Sequence, residues 1–165
     1  MLKGNNKFIS YRMKVSLLGN RRGYNRTFLI SGERTLDELS EFILDSFDFD
    51  NDHLYAFTLD KDYFSEENSY HLDHEYEEKK STDISIKNLN LTEKQRIRYL
   101  FDWGDHWEFE IFVQKIEYKD EDFEAEVLKS VGELEQYWIW FLLKKLMKIS
   151  IFYFKIKKFF KIKKI

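Results

Sequence analysis

Acidic and imidazole side chains crowd two short stretches of this chain. In the first, Asp48, Asp50 and Asp52 alternate toward Asn51 and His53. Oxygen ligands at alternate positions suit Ca²⁺ or Mg²⁺, but an EF-hand loop also needs a glycine at its sixth position and a distal bidentate Glu. Neither falls correctly here. The competing explanation is a helix exit loop whose carboxylates bond nearby backbone N–H groups. The second stretch is Asp102-Trp103-Gly104-Asp105-His106-Trp107. If the two strands are neighbours, Asp102, Asp105, His106 and Trp107 can converge with Asp52 and His53. Carboxylates with an imidazole can serve a hydrolytic metal site or acid–base chemistry. Against this, hairpin turns recruit Asp and Gly for backbone reasons alone, and tryptophans there pack. His71 and His74 lie three apart beside Asp73 and Glu75, and on a helix they could share a metal-binding face. With no third ligand fixed nearby, surface histidines are the expectation. Signatures for Ser or Lys nucleophiles, phosphate-cradling glycine loops and dinucleotide binding are missing. No cofactor is expected, except a divalent metal should the Asp/His cluster assemble.

The elements that must position these residues follow from periodicity. Arg12–Leu18 alternates with Met13, Val15 and Leu17 on one face, a strand signal, and Arg26–Ile30 reads as its hairpin partner. Thr35 is an N-cap, with Glu38 three residues later as a capping box. Leu36, Leu39, Ile43 and Phe47 then recur at helical spacing, predicting a helix over Leu36–Phe47 that packs its stripe into the core. His53–Leu59 alternates as a strand. Asp60–Asp83 carries 9 acids and 3 lysines and reads as a solvated excursion with short strands near Tyr63 and Tyr70. Thr92 starts a brief turn through Gln95. Ile97–Phe101 and Trp107–Ile116 form the strongest hairpin signal, with Trp107, Phe109, Ile111 and Val113 on one face and Gly104 expected at positive φ in the turn. Glu124–Ser130 reads as a last strand. Strand, strand, helix, then strands without alternating helices argues for an α+β fold: an antiparallel or mixed sheet with one principal helix packed on it.

Composition bounds the rest. The chain has 165 residues, enough for one domain, and its 16 Phe, 10 Tyr and 4 Trp can build a substantial core. Cysteine is absent, which excludes disulfides and thiolate chemistry and fits a reducing compartment. Met1–Ser10 is polar and lacks an apolar signal core, so it reads as a loose leader, and the expected location is cytoplasmic. The net charge of −3 hides a split. Phe141–Ile165 holds 9 Lys and no acid, leaving 18 basic and 30 acidic residues before it, a net of −12. On that total, a nucleic-acid partner is not expected for the acidic body.

Three stretches together resemble the Ri-plasmid ORF-three-like family. They are Arg34-Thr35-Leu36-Asp37-Glu38-Leu39 running into Phe47–Phe57, then Tyr99–Phe109, then Lys129-Ser130-Val131-Gly132-Glu133-Leu134-Glu135-Gln136-Tyr137. The resemblance implies an α+β domain over Tyr11–Tyr137, no established activity, and a loose association with mobile elements. Relatives usually continue the last stretch with Pro and acidic residues. Here it becomes Trp138-Ile139-Trp140-Phe141 and a mixture of Lys, Ile, Phe and Leu through Ile165. Within that non-core C-terminal tail, Phe141–Ile165 uses only residue types that A/T-rich codons can encode, which fits a shifted or degenerated reading frame. Otherwise, as a cationic, aromatic-rich segment, it could contact an anionic membrane or nucleic acid.

Two functions are carried forward. One is a non-enzymatic interaction or accessory protein with an unknown protein partner. The other is a metal-dependent hydrolase using Asp52, His53, Asp102 and Asp105.

Overall fold

The computed structural model describes residues 7–60, 66–73 and 79–137. Its α+β fold is one mixed sheet of eight strands with a single α-helix among the described residues. In chain order the elements are β1 (Phe8–Leu17), β2 (Asn25–Ser31), α1 (Leu36–Phe47), β3 (Tyr55–Thr58), β4 (Ser69–His71), β5 (Lys80–Ser81), β6 (Arg96–Phe101), β7 (Trp107–Lys119) and β8 (Glu126–Val131). The strand order across the sheet is β5-β4-β3-β6-β7-β1-β2-β8, and β4–β5 is its parallel pair. The expectation of an antiparallel or mixed sheet with one principal helix packed on it shifts in proportion: the sheet dominates, and α1 is one 12-residue element.

The capping box forms as expected. The Glu38 N–H donates to Thr35 Oγ1 (3.2 Å), and the Thr35 N–H donates to Glu38 Oε2 (2.7 Å). Both satisfy orphan donors of the first turn. The helix buries Leu36, Leu39, Ile43, Leu44 and Phe47. Phe42 meets Phe28 of β2 at 5.2 Å, and Phe47 meets Phe109 of β7 at 5.3 Å. Polar bonds lock the same layer: Ser40 Oγ and Tyr99 OH lie 2.7 Å apart, and Tyr55 OH donates to Asp37 Oδ1 at 2.7 Å. Burial, together with the hydrogen bond to Asp37, pushes the Tyr55 hydroxyl above the ordinary tyrosine range, and burial does the same to Tyr99.

Several boundaries differ from expectation for identifiable reasons. The supposed leader overlaps β1, because Phe8, Ile9 and Ser10 pair with Lys119, Tyr118 and Glu117 of a β7 that runs past Ile116. A bulge between the pairs Arg12–Lys115 and Met13–Val113 leaves Gln114 extra. It lets Ile116 stand opposite Tyr11 although its parity differs from that of Val113. β3 is buried on both faces, so its alternation does not mark a solvent side. The Thr92–Gln95 turn is present, closed by Gln95 N–H donating to Thr92 O (3.2 Å). The strand expected near Tyr63, His74 with its metal reading, residues 1–6 and the tail after Tyr137 lie outside the described residues.

Candidate functional site

The exit from α1 is an αL cap. Asp48 has φ 62°, and its N–H donates to the carbonyls of Asp45 (3.1 Å) and Leu44. Phe49 then dives into the core, edge-on to Trp107 at 4.9 Å, while Asp50, Asp52 and His53 stay exposed. β3 begins two residues after His53 and pairs with β6, so the loop ends beside the β6–β7 turn. The Asp102 N–H donates to Leu54 O (3.0 Å) and ties the two together.

That contact assembles part of the predicted cluster. His53 Nε2 lies 3.6 Å from Asp52 Oδ1 and 3.5 Å from Asp102 Oδ2. Asp102 is 7% exposed, and its other oxygen is committed: Oδ1 accepts the N–H groups of Gly104 (2.7 Å) and Asp105 (3.2 Å). The positive φ expected at Gly104 sits instead at Asp102 (59°) and His106 (58°). Asp tolerates that region because its short side chain bonds the local backbone, as it does here. The other two predicted residues face elsewhere. Asp105 and Trp107 line an open cleft of about 440 Å³ with Leu17, Leu18 and His106. Trp107 is half-buried, and its Nε1 is enclosed with no acceptor in reach. Among the described residues no three His, Asp or Glu side chains form a group able to hold a metal ion.

The same end of the sheet exposes apolar surface. Trp103 is 48% exposed and stacks on His71, with ring centroids 6.3 Å apart and planes 8° apart. Leu54 and Leu72 are also exposed; the Leu72 N–H donates to Tyr55 O at 3.2 Å, which places Leu72 at the end of β3 next to Leu54.

The sequence profile of the family described as plasmid pRiA4b ORF-3-like protein matches residues 9–133. The chain belongs to that family. Among curated proteins, none matches it. The fold is similar to the crystal structure of the protein of unknown function MM3350 from Methanosarcina mazei Go1. The likeness has a TM-score of 0.56 and 19% identity, covering 74% of this chain and 69% of that one. At that identity the likeness speaks for the fold alone.

The motifs that carry the plasmid ORF-3-like resemblance have structural duties here. Thr35 and Glu38 start the helix, and Asp102 closes the hairpin turn. Gly132 takes φ 72°, and a Cβ built on it would lie 2.1 Å from Gly23 O. Sequence reasoning missed two buried charges in this plasmid ORF-3-like chain. Arg26, 5% exposed, donates from Nε to Ser46 O (2.7 Å) and from Nη1 to Asn25 O, Val131 O and Gly132 O (2.9–3.0 Å). Its guanidinium also lies 4.1 Å over the Phe47 ring. Burial lowers its pKa, opposed by the Glu133 charge. Glu110, 6% exposed, is held by Arg21 (3.0 Å) and Arg96. The legible signal for Arg26 was its parity, since alternation puts it on the core face with Phe28 and Ile30.

Proposed function

We propose that this plasmid ORF-3-like chain is a non-enzymatic interaction module, an accessory protein of the mobile elements that the family description evokes. Its contact surface is the strand-end patch of Leu54, Leu72 and Trp103, beside Asp52, His53 and Asp102. The supporting observation is the exposure of three large apolar side chains at one end of the sheet. Adjoining apolar residues rimmed by polar ones mark contact sites more often than scattered single residues do. An exposed Trp is also the residue type most enriched where interfaces concentrate their energy. The test is affinity capture from the native host with wild type and Leu54→Asp/Trp103→Ser. A partner captured by wild type and lost by the variant is expected; an identical set from both overturns the reading.

The hydrolase reading draws on His53 standing between two carboxylates. Asp102, however, spends one oxygen on turn amides, a duty that explains its presence without catalysis. Calorimetric titration of wild type and Asp102→Asn with Zn²⁺ and with Mg²⁺ separates the two. A stoichiometric heat in wild type that is absent in Asp102→Asn would favour the hydrolase.

A further inference from the structure

The helix layer carries Asp37, Glu38, Glu41, Asp45 and Asp48. The face of the sheet turned away from α1 carries both signs, with cations concentrated in one row. Pairing register places Lys129, Thr27, Lys14, Phe112 and Arg96 in one row across β8, β2, β1, β7 and β6. That row holds three cations, one aromatic ring and no carboxylate. At about 4.8 Å per strand it spans roughly 19 Å, with cations about 10 Å apart. The Arg96 guanidinium lies 4.7 Å over the Phe112 ring and remains partly exposed. Flanking rows add Arg12 and Lys115, in a row that also holds Leu29 and Glu126, and Arg98, opposite Glu110; Glu108 and Glu117 stand on the same face. Arg98 Nη1 is enclosed and has no hydrogen-bond partner. His71 is opposite Ala56 and Ala56 opposite Leu100, so the Trp103 ring stacked on His71 lies over this same face.

We propose that this face binds single-stranded nucleic acid. Such sites combine a cationic track for the backbone with flat side chains on which bases stack. Cations, the Arg96–Phe112 stack and the Trp103–His71 stack supply both parts on one sheet. An acidic protein segment would use the cations but has no need of the stacking planes. The net charge of −12 before Phe141 is a total over that whole stretch, whereas on this face Arg12, Lys14, Arg96, Arg98, Lys115 and Lys129 outnumber Glu108, Glu110, Glu117 and Glu126. Glu110 neutralises part of the field, since it engages Arg21 and Arg96. The phosphate contacts therefore fall to Lys14, Lys129 and Arg12.

The test uses the full chain and a fluorescein-labelled 20-nucleotide oligothymidylate, with anisotropy read from low to moderate salt. The variant is Arg12→Glu/Lys14→Glu/Lys129→Glu, which leaves the strand-end patch untouched. Three lost phosphate contacts should weaken binding at least tenfold and lower the salt slope by about 2. Should the triple variant unfold by circular dichroism, Lys129→Glu alone, on the exposed edge strand, should still lower affinity and slope measurably. Equal affinity and slope in a folded variant would assign the binding to the lysine-rich tail and overturn the proposal. No binding by wild type at low salt, or displacement by poly-glutamate as effective as by unlabelled oligonucleotide, would overturn it too. None of these outcomes depends on the protein partner of the strand-end patch.

Discussion

Single residues in this chain carry conformational duties that their chemistry disguises. Asp102 has the side chain of a catalytic acid, yet its left-handed φ and two accepted amide bonds explain it as a turn former. Asp102→Ala should cost about 2–3 kcal/mol, from two lost charge-assisted bonds and the strain of a positive φ. Asp102→Asn keeps an acceptor and tolerates the conformation, so it should cost under about 1 kcal/mol. Urea denaturation of both variants checks this, and equal losses would refute the turn-former account. At Gly132 a side chain meets the Gly23 carbonyl as well as strain, and Gly132→Ala should cost roughly 3 kcal/mol in the same experiment. The buried tyrosines give the pH dependence. Tyr55 and Tyr99 have raised pKa values in the folded state, against an ordinary value of 10.0. The stability they contribute is full below pH 10 and is lost as pH climbs above it, because only the unfolded chain ionises them there. Absorbance of tyrosinate near 295 nm should rise in two stages, the later one coinciding with loss of near-ultraviolet circular dichroism. A single stage near pH 10 with the fold intact would contradict the burial.

Elements were legible where local chemistry and periodicity agreed. The helix bounds Leu36–Phe47 could be read because the capping box, early acids and apolar stripe all name the same start and face. β7 was read through its bulge at Gln114 to Ile116 but lost Glu117–Lys119, whose mostly polar residues show no apolar alternation and whose strand state rests on pairing with Phe8–Ser10. β1 was read short because the polar residues before Phe8 set the tone of its start, whereas pairing with the far end of β7 decides its length. The two-residue β5 has no period to detect. The candidate site was half legible. Its two stretches do meet, but only three of the five expected residues cluster, since turn geometry, invisible in composition, turns Asp105 and Trp107 toward the cleft. Arg26 shows what element-scale coupling adds, for one side chain bonds the end of α1, β2 and the end of β8. Arg26→Met should cost about 3 kcal/mol, since it abandons several charge-assisted bonds to buried carbonyls. Hydrogen exchange should then quicken in β8 more than in β6 or β7. Uniform acceleration across the sheet would deny Arg26 this tethering role.

At the scale of the molecule, the question is which part of the chain supplies the cooperative core. The buried apolar side chains of the described residues run from Tyr11 to Val113, and they come from β1, β2, α1, β3, β6, β7 and the segments between them. β8 closes one edge of the sheet with mostly exposed residues, and the Lys/Ile/Phe-rich segment follows it in sequence. Fully buried aromatics such as Phe28, Phe57, Tyr99 and Phe109 each remove roughly 150–250 Å² from water, so the dominant apolar term is complete before Val131. A chain ending at Tyr137 should therefore unfold in one cooperative urea transition, within about 1–2 kcal/mol of the full-length value. It should also stay in solution at higher concentration, because the removed segment combines Ile- and Phe-rich stretches with no acid to act as gatekeeper. Far-ultraviolet circular dichroism and urea melts on both chains decide the matter. If the shorter chain is unfolded while the longer one melts cooperatively, the core depends on residues after Tyr137, and the tail is a structural part of the domain.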